Sequence, residues 1–234
     1  NYYETVPAEY LERMLWTHRE RMYFPVVDEE VFNRERDVVK EELRQRVLAP
    51  PYGRFQRFVM PENAYDTTAY RRPGIGSIEE LDAATLEDAL AFHEAYYGPD
   101  TATLIVAGNF EEANLRALVD EYFADIPRRE NPVPLELSTE EPERTEPRSI
   151  VARAPNVPLP VRGTLWKGPK IATEDTAALE VLSAIMARGD NSRLNEALVR
   201  SGKAVNAVFF YGPGEEAGMI AGFAITNPAA DAAE

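Results

Sequence analysis

The sequence predicts an α+β fold in which mixed, mainly antiparallel sheets pack against helices, arranged as two related halves. Three observations lead there. Amphipathic helical stretches alternate with short apolar runs of strand type; each half shows the order strand–helix–helix–strand; and a stretch rich in proline and charge, residues 128–148, separates the two. At 234 residues, 44% of them hydrophobic, the chain is long enough for one large domain or for parts of two with a real core. The expected organisation is a first domain over residues 1–127, a linker over 128–148 and a second domain over 149–234, each domain incomplete in this chain.

The elements follow in order. After Pro7, apolar residues at Leu11, Met14, Leu15 and Met22 mark a first helix, and Asp28 stands where it can cap a second. Pro50 and Pro51 in "APPYGR" end that second helix, since neither can continue it. From Ile78 to Tyr97 the pattern predicts two short helices, the latter capped by Thr85 with Asp88 three residues on. "GPD" then turns the chain into "TATLIVAGNF", expected to be a buried strand, and "EEANLRALVDEYFADI" returns as an amphipathic helix before Pro127. Beyond the linker, strands are expected around Ile150–Arg153 and Arg162–Trp166. Helices follow over "EDTAALEVLSAIMARG" and Ser192–Val199, then two strands hinged by "YGPGEEAG".

Composition narrows the function. Lys and Arg number 25 against 40 Asp and Glu, a net charge of −15, which argues against nucleic acid or an anionic membrane and favours basic or neutral partners. The absence of cysteine excludes disulfides, thiolate zinc sites and a cysteine nucleophile, so any metal must use histidine and carboxylate. No run is long enough to span a bilayer, and the compartment is left open. The opening "NYYETVPAEY" lacks a methionine and a signal-like h-region, so the chain is expected to be an excised segment.

The stretch with most chemical content is "FNRERDVVKEELRQRV". On a helical wheel Phe32, Val39 and Leu43 share a face, and Glu35 and Glu42 fall together on one edge of it. Seven residues apart, they stand about 10 Å from each other along the axis, too far to share a proton. Spacing alone allows two readings: one carboxylate reaches a metal while the other orients a neighbouring ligand, or both are solvated residues of a charged helix edge.

"VVDEEVFNRERDVVKEELRQRV", "YRRPGIGSIEELDAATLEDALAFHEAYYGPDTATLIVAGNF" and "DNSRLNEALVRSGKAV" together resemble the pitrilysin/insulinase family of zinc peptidases, in the two-domain branch related to mitochondrial processing peptidase. The resemblance covers most of the chain, in the family's order. It implies two metallopeptidase-like half-domains and an inverted H-x-x-E-H motif with two histidine ligands and a glutamate base. It also implies a third ligand from a later helix reading E-R-x-x-V-x-x-E. Here that pattern is Glu35, Arg36, Val39 and Glu42, so the resemblance makes Glu42 the third zinc ligand and Glu35 an acid that orients a ligand.

Two departures matter. The only histidines are His18 and His93, and neither belongs to an H-x-x-E-H, so the two histidine ligands are absent from this chain and no zinc is expected on it alone. The family often carries Arg and, seven residues on, Tyr, which bind substrate and steady the tetrahedral intermediate. Aligning on "SRLNEAL" puts Val199 and Asn206 at those positions; Arg200 is one step off, with Ala207 seven beyond it. The implied function is part of a zinc-dependent metalloendopeptidase subunit acting on unfolded peptides, with a homologous subunit supplying the Arg/Tyr pair. The alternative is a non-catalytic partner or scaffold subunit. "PGIGS" reads as a turn, and Tyr96 and Tyr97 as core.

Overall fold

The computed structural model describes residues 1–128 and 140–230. In chain order a 3-10 turn (Ala8–Tyr10) precedes α1 (Leu11–Tyr23) and α2 (Glu29–Leu43), and α2 continues as a wider π-helical turn at Arg44–Leu48. A second π-helical turn (Phe55–Val59) runs into α3 (Met60–Ala64), followed by a 3-10 turn (Ala69–Arg71), α4 (Ile78–Ala83), α5 (Leu86–Tyr96) and α6 (Glu112–Phe123). Then come β1 (Val161–Gly168), α7 (Asp175–Ala187), a π-helical turn (Asn195–Val199), β2 (Ala204–Gly212) and β3 (Gly218–Thr226). The fold is α+β with an antiparallel sheet, as the alternation of periods predicts.

By contact the chain groups into two compact units, one within Asn1–Val38 and Glu79–Leu137, the other within Val39–Ile78 and Ser138–Glu234. The grouping is not sequential: residues 39–78 go with the later segment, although the sequence reading keeps all of 1–127 together. Residues 129–139 of the expected linker lie outside the described residues.

In the first unit α1 packs on α6, with Leu15 and Leu118 among the buried residues. Tyr122 on α6 donates its hydroxyl to Glu12 at 2.9 Å, and Arg19 bonds Asp125 at 2.9 Å. Helix starts follow their sequence signals. The Asp28 carboxylate accepts the Val31 N–H at 2.8 Å ahead of α2, and Thr85 and Asp88 form the reciprocal box that opens α5. The expected strand in "TATLIVAGNF" is a correction, because residues 102–107 form no strand and Ile105 is 83% exposed. The expected strand at Ile150–Arg153 is a second correction, with Val151 85% exposed. Both runs have the composition of strands, but a strand also needs a neighbour to take its N–H and C=O groups, and none pairs with them among the described residues.

The second unit is built on a three-stranded sheet in the order β1-β3-β2. β1 faces β3 from Val161 opposite Ile225 to Gly168 opposite Gly218, and a bulge between Ala204 and Asn206 interrupts the β2–β3 register. α7 packs on β2, where Ser183 Oγ accepts the Tyr211 N–H at 3.1 Å. The β2–β3 connection is anchored by Tyr70, whose hydroxyl oxygen accepts the N–H groups of Glu215 at 3.1 Å and Glu216 at 3.3 Å. Tyr70 stands edge-on to Tyr65, which is buried with Ala64 and Ala217 against Met219.

The turn between the two π-helical segments depends on a close approach. A Cβ on Gly53 would stand 2.2 Å from the Val47 carbonyl oxygen, so only glycine fits without moving backbone. Gly53→Ala is expected to destabilise the protein by roughly 1–3 kcal/mol, as overpacking does. Thermal unfolding measures it, and an unchanged midpoint would mean that the turn relaxes freely.

Candidate functional site

α2 carries the acidic pattern, and the structure treats its members differently. Glu35 is 60% exposed and pairs with its neighbour Arg34 at 3.2 Å. Glu42 is 39% exposed and accepts a hydrogen bond from Arg46, one turn later, at 2.6 Å. The shared half-buried edge read from the wheel therefore holds for Glu42 and not for Glu35. The best-anchored member of the pattern is Arg36, which the sequence reading left without a role. It donates to the Ala84 carbonyl at 3.0 Å and to Asn33 Oδ1 at 2.9 Å, with its guanidinium over the Phe32 ring. Arg36 thus ties α2 to the turn before α5.

The two histidines are committed elsewhere. His18 Nε2 lies 2.7 Å from Glu4, and its Nδ1 faces Arg21. His93 stacks on Tyr97, with centroids 4.7 Å apart. Tyr97 meets Tyr2 edge to face, whereas Tyr96, expected in the core, is exposed. Among the described residues no group of three or more His, Cys, Asp or Glu is placed to hold a metal ion. One carboxylate already paired with arginine, without imidazole beside it, does not fit a zinc centre.

The positions expected to lack the substrate-binding pair separate as well. Val199 ends a π-helical turn and is half-buried, and the adjacent Arg200 is held by Asn191 at 2.8 Å and Glu196 at 3.7 Å. Asn206 follows the β2 bulge and lines an apolar cavity.

The densest electrostatic cluster was invisible to sequence patterns. The Glu141 side chain is only 5% exposed, and its two oxygens accept the backbone N–H groups of Asp66 at 2.6 Å, Thr67 at 3.1 Å and Thr68 at 3.0 Å. Lys167, on β1, reaches Glu141 at 2.7 Å and Asp66 at 2.8 Å and also donates to the Pro142 carbonyl. Arg144 and Arg148 close on Asp66 at 3.3 and 3.0 Å. Residues 140–148, read from sequence as linker, are thereby tied to the loop after α3. Burial by itself would raise the Glu141 carboxyl. The hydrogen bonds from Lys167 and from the Thr68, Asp66 and Thr67 amides outweigh burial and hold it far below the usual carboxylate range. Asp66 is lowered too, first by the hydrogen bond from Lys167. This arrangement is a structural clasp: every charge in it is matched, and it leaves no free group for chemistry.

A family profile described as the peptidase M16 inactive domain matches residues 83–234. A protein of Helicobacter pylori named zinc protease PqqE is 27% identical over 199 residues, covering 85% of this chain and 45% of that protein. An uncharacterized zinc protease of Mycobacterium leprae is 34% identical over 89 residues, covering 38% of this chain and 20% of the relative. The crystal structure of a protease from Helicobacter pylori superimposes with a TM-score of 0.84 at 26% identity, over 96% of this chain and 54% of that one. The chain thus spans about half the length, or less, of the relatives it matches.

Proposed function

Because this chain belongs to the peptidase M16 inactive-domain family, we propose that it is part of a zinc-dependent metalloendopeptidase that hydrolyses unfolded peptides, and that its own share of the work is to bind and enclose substrate. The observation that carries the reading is the pattern on α2: a complete E-R-x-x-V-x-x-E, in a chain similar to proteins named zinc proteases, with no histidine pair beside it. In this proposal Glu42 serves as third ligand and Glu35 as an orienting acid of a centre whose histidines are not among these residues.

The proposal includes a partner. Val199 and Asn206 offer neither the charge nor the phenol of the family's pair, and Arg200 is engaged by Asn191 and Glu196. A homologous subunit would supply Arg and Tyr, with the peptide between the two chains. One observation favours a second reading, a non-catalytic scaffold subunit: Glu35 and Glu42 each have an arginine partner without any metal, so neither needs one to be satisfied.

The test is hydrolysis of an unfolded fluorogenic peptide by the whole protein, alone and mixed with its homologous subunit. Activity is expected on mixing, to disappear with a chelator and to return with zinc. Efficient cleavage by the whole subunit alone would remove the partner, and chelator-insensitive or absent cleavage in every mixture would leave the scaffold.

A further inference from the structure

The second compact unit contains a cavity of about 380 Å³ against one face of its sheet, at the small end of the range of small-molecule pockets. Its floor is apolar, with Met60 from α3 beside Phe210 and Phe223 from the sheet, and Tyr52 and Phe55 wall it. Phe55 meets Phe223 edge to face at 5.3 Å. The polar residues that line it, Gln56, Arg57 and Asn206, are also the exposed ones, so apolar floor and polar mouth are separated. Among the described residues none of these three side chains has a hydrogen-bond or ion-pair partner.

Two further features mark the mouth. Tyr52 has φ 66°, a left-handed conformation that a bulky residue rarely adopts. It is held there while its hydroxyl donates to Leu159 O at 3.1 Å and its carbonyl accepts the Gln56 N–H at 3.0 Å. The β2 bulge puts Asn206 opposite Ile225, another lining residue, so that the amide stands in line with Val208 and Phe210 over the cavity. Strain and a bulge at one opening are the marks of a shaped site rather than of loose packing.

An apolar pocket with a free guanidinium and two free amides at its lip selects an apolar side chain attached to a carboxylate. We propose that this cavity binds the C-terminal residue of a peptide when that residue is large and apolar. The side chain enters between Phe210 and Phe223, Arg57 pairs with the terminal carboxylate, and Gln56 and Asn206 hydrogen-bond the last peptide unit. Among the described residues Arg57 has no anionic partner, and the terminal carboxylate supplies one. Hydrolysis of a peptide bond creates such a carboxylate on the upstream product, so the site would hold product; that last step rests on the peptidase reading, whereas the binding does not.

The experiment is calorimetric titration of the whole protein with acetyl-Ala-Ala-Phe as free acid and as amide, with acetyl-Ala-Ala-Ala free acid, and with acetyl-Ala-Glu-Phe-amide. The free Phe acid is expected to bind about tenfold tighter than its amide, the worth of one charge-assisted hydrogen bond, and tighter than the Ala acid. Arg57→Gln should abolish the acid preference without moving the unfolding midpoint, since Arg57 is exposed, and Arg57→Lys should restore part of it. Asn206→Ala should weaken acid and amide alike. Equal binding of acid and amide, or a preference that survives Arg57→Gln, would overturn the site, as would tighter binding of the Glu peptide amide, which would assign the anion to a side chain. None of these titrations requires hydrolysis, so a failed activity assay leaves them standing.

Discussion

Glu141→Gln is expected to cost the protein about 3 kcal/mol of stability at neutral pH, the lower end of what removing one partner of a buried ion pair costs. The Glu141 carboxylate takes three backbone N–H groups and Lys167. A glutamine offers one oxygen where two were used, and its NH₂ would face amide donors. Lys167 keeps Asp66 at 2.8 Å, and for that reason the low end is expected. Denaturant titration of both proteins measures it, and a loss below about 1 kcal/mol would make this an ordinary surface pair.

The same clasp sets a pH dependence whose sign is fixed. Glu141 and Asp66 both have folded pKa values below their ordinary ones, so in acid the unfolded chain binds protons that the folded chain refuses. Their stabilisation is complete above the unfolded carboxylate values, about 4. It is lost as pH falls through the lower folded values. Glu141→Gln should therefore flatten the fall of stability below about pH 4. An unchanged acid slope would show that Glu141 titrates alike in both states.

On the proposed zinc-peptidase reading, Glu42→Gln in the whole protein is expected to remove tightly held zinc and to lower peptide hydrolysis by more than about 100-fold, beyond the range typical of groups that only orient a ligand. Glu35→Gln should fall within that range, about 10–100-fold, with most of the zinc retained. Zinc content is read by metal analysis after dialysis, separately from activity. The exposure of Glu35, 60% against 39% for Glu42, agrees with the lesser role. Negligible losses from both changes would return them to salt bridges on a helix surface and favour the scaffold reading.

How much of this could be read in advance depended on the range of the interactions involved. The Asp28 cap, the Thr85–Asp88 box, the prolines after α2 and the β2–β3 connection act over a few residues, and each stands where the sequence puts it. Glu35 and Glu42 could be picked out by spacing and resemblance, but spacing could not say that Glu35 would turn to solvent. Arg57 gave no signal, because an arginine in "RFQRF" becomes notable only when a sheet face is laid beside it.

By itself, then, the sequence determined the longer helices, the Asp28 cap and the Thr85–Asp88 box, the hairpin of the second half, the acidic character and the family pattern on α2, but not the π-helical turn at Phe55–Val59 or α3. These depend on neighbours three or four residues apart, where backbone geometry leaves few choices. Tertiary structure alone decided the rest: that "TATLIVAGNF" would not become a strand, that Glu141 would sit on amides 73–75 residues before it, and that Asn206 and Arg57 would share a cavity. The physical reason is that a strand exists only with its pairing partner and a buried charge only with its counter-charge, and both partners are chosen by packing at distances along the chain that no local period encodes.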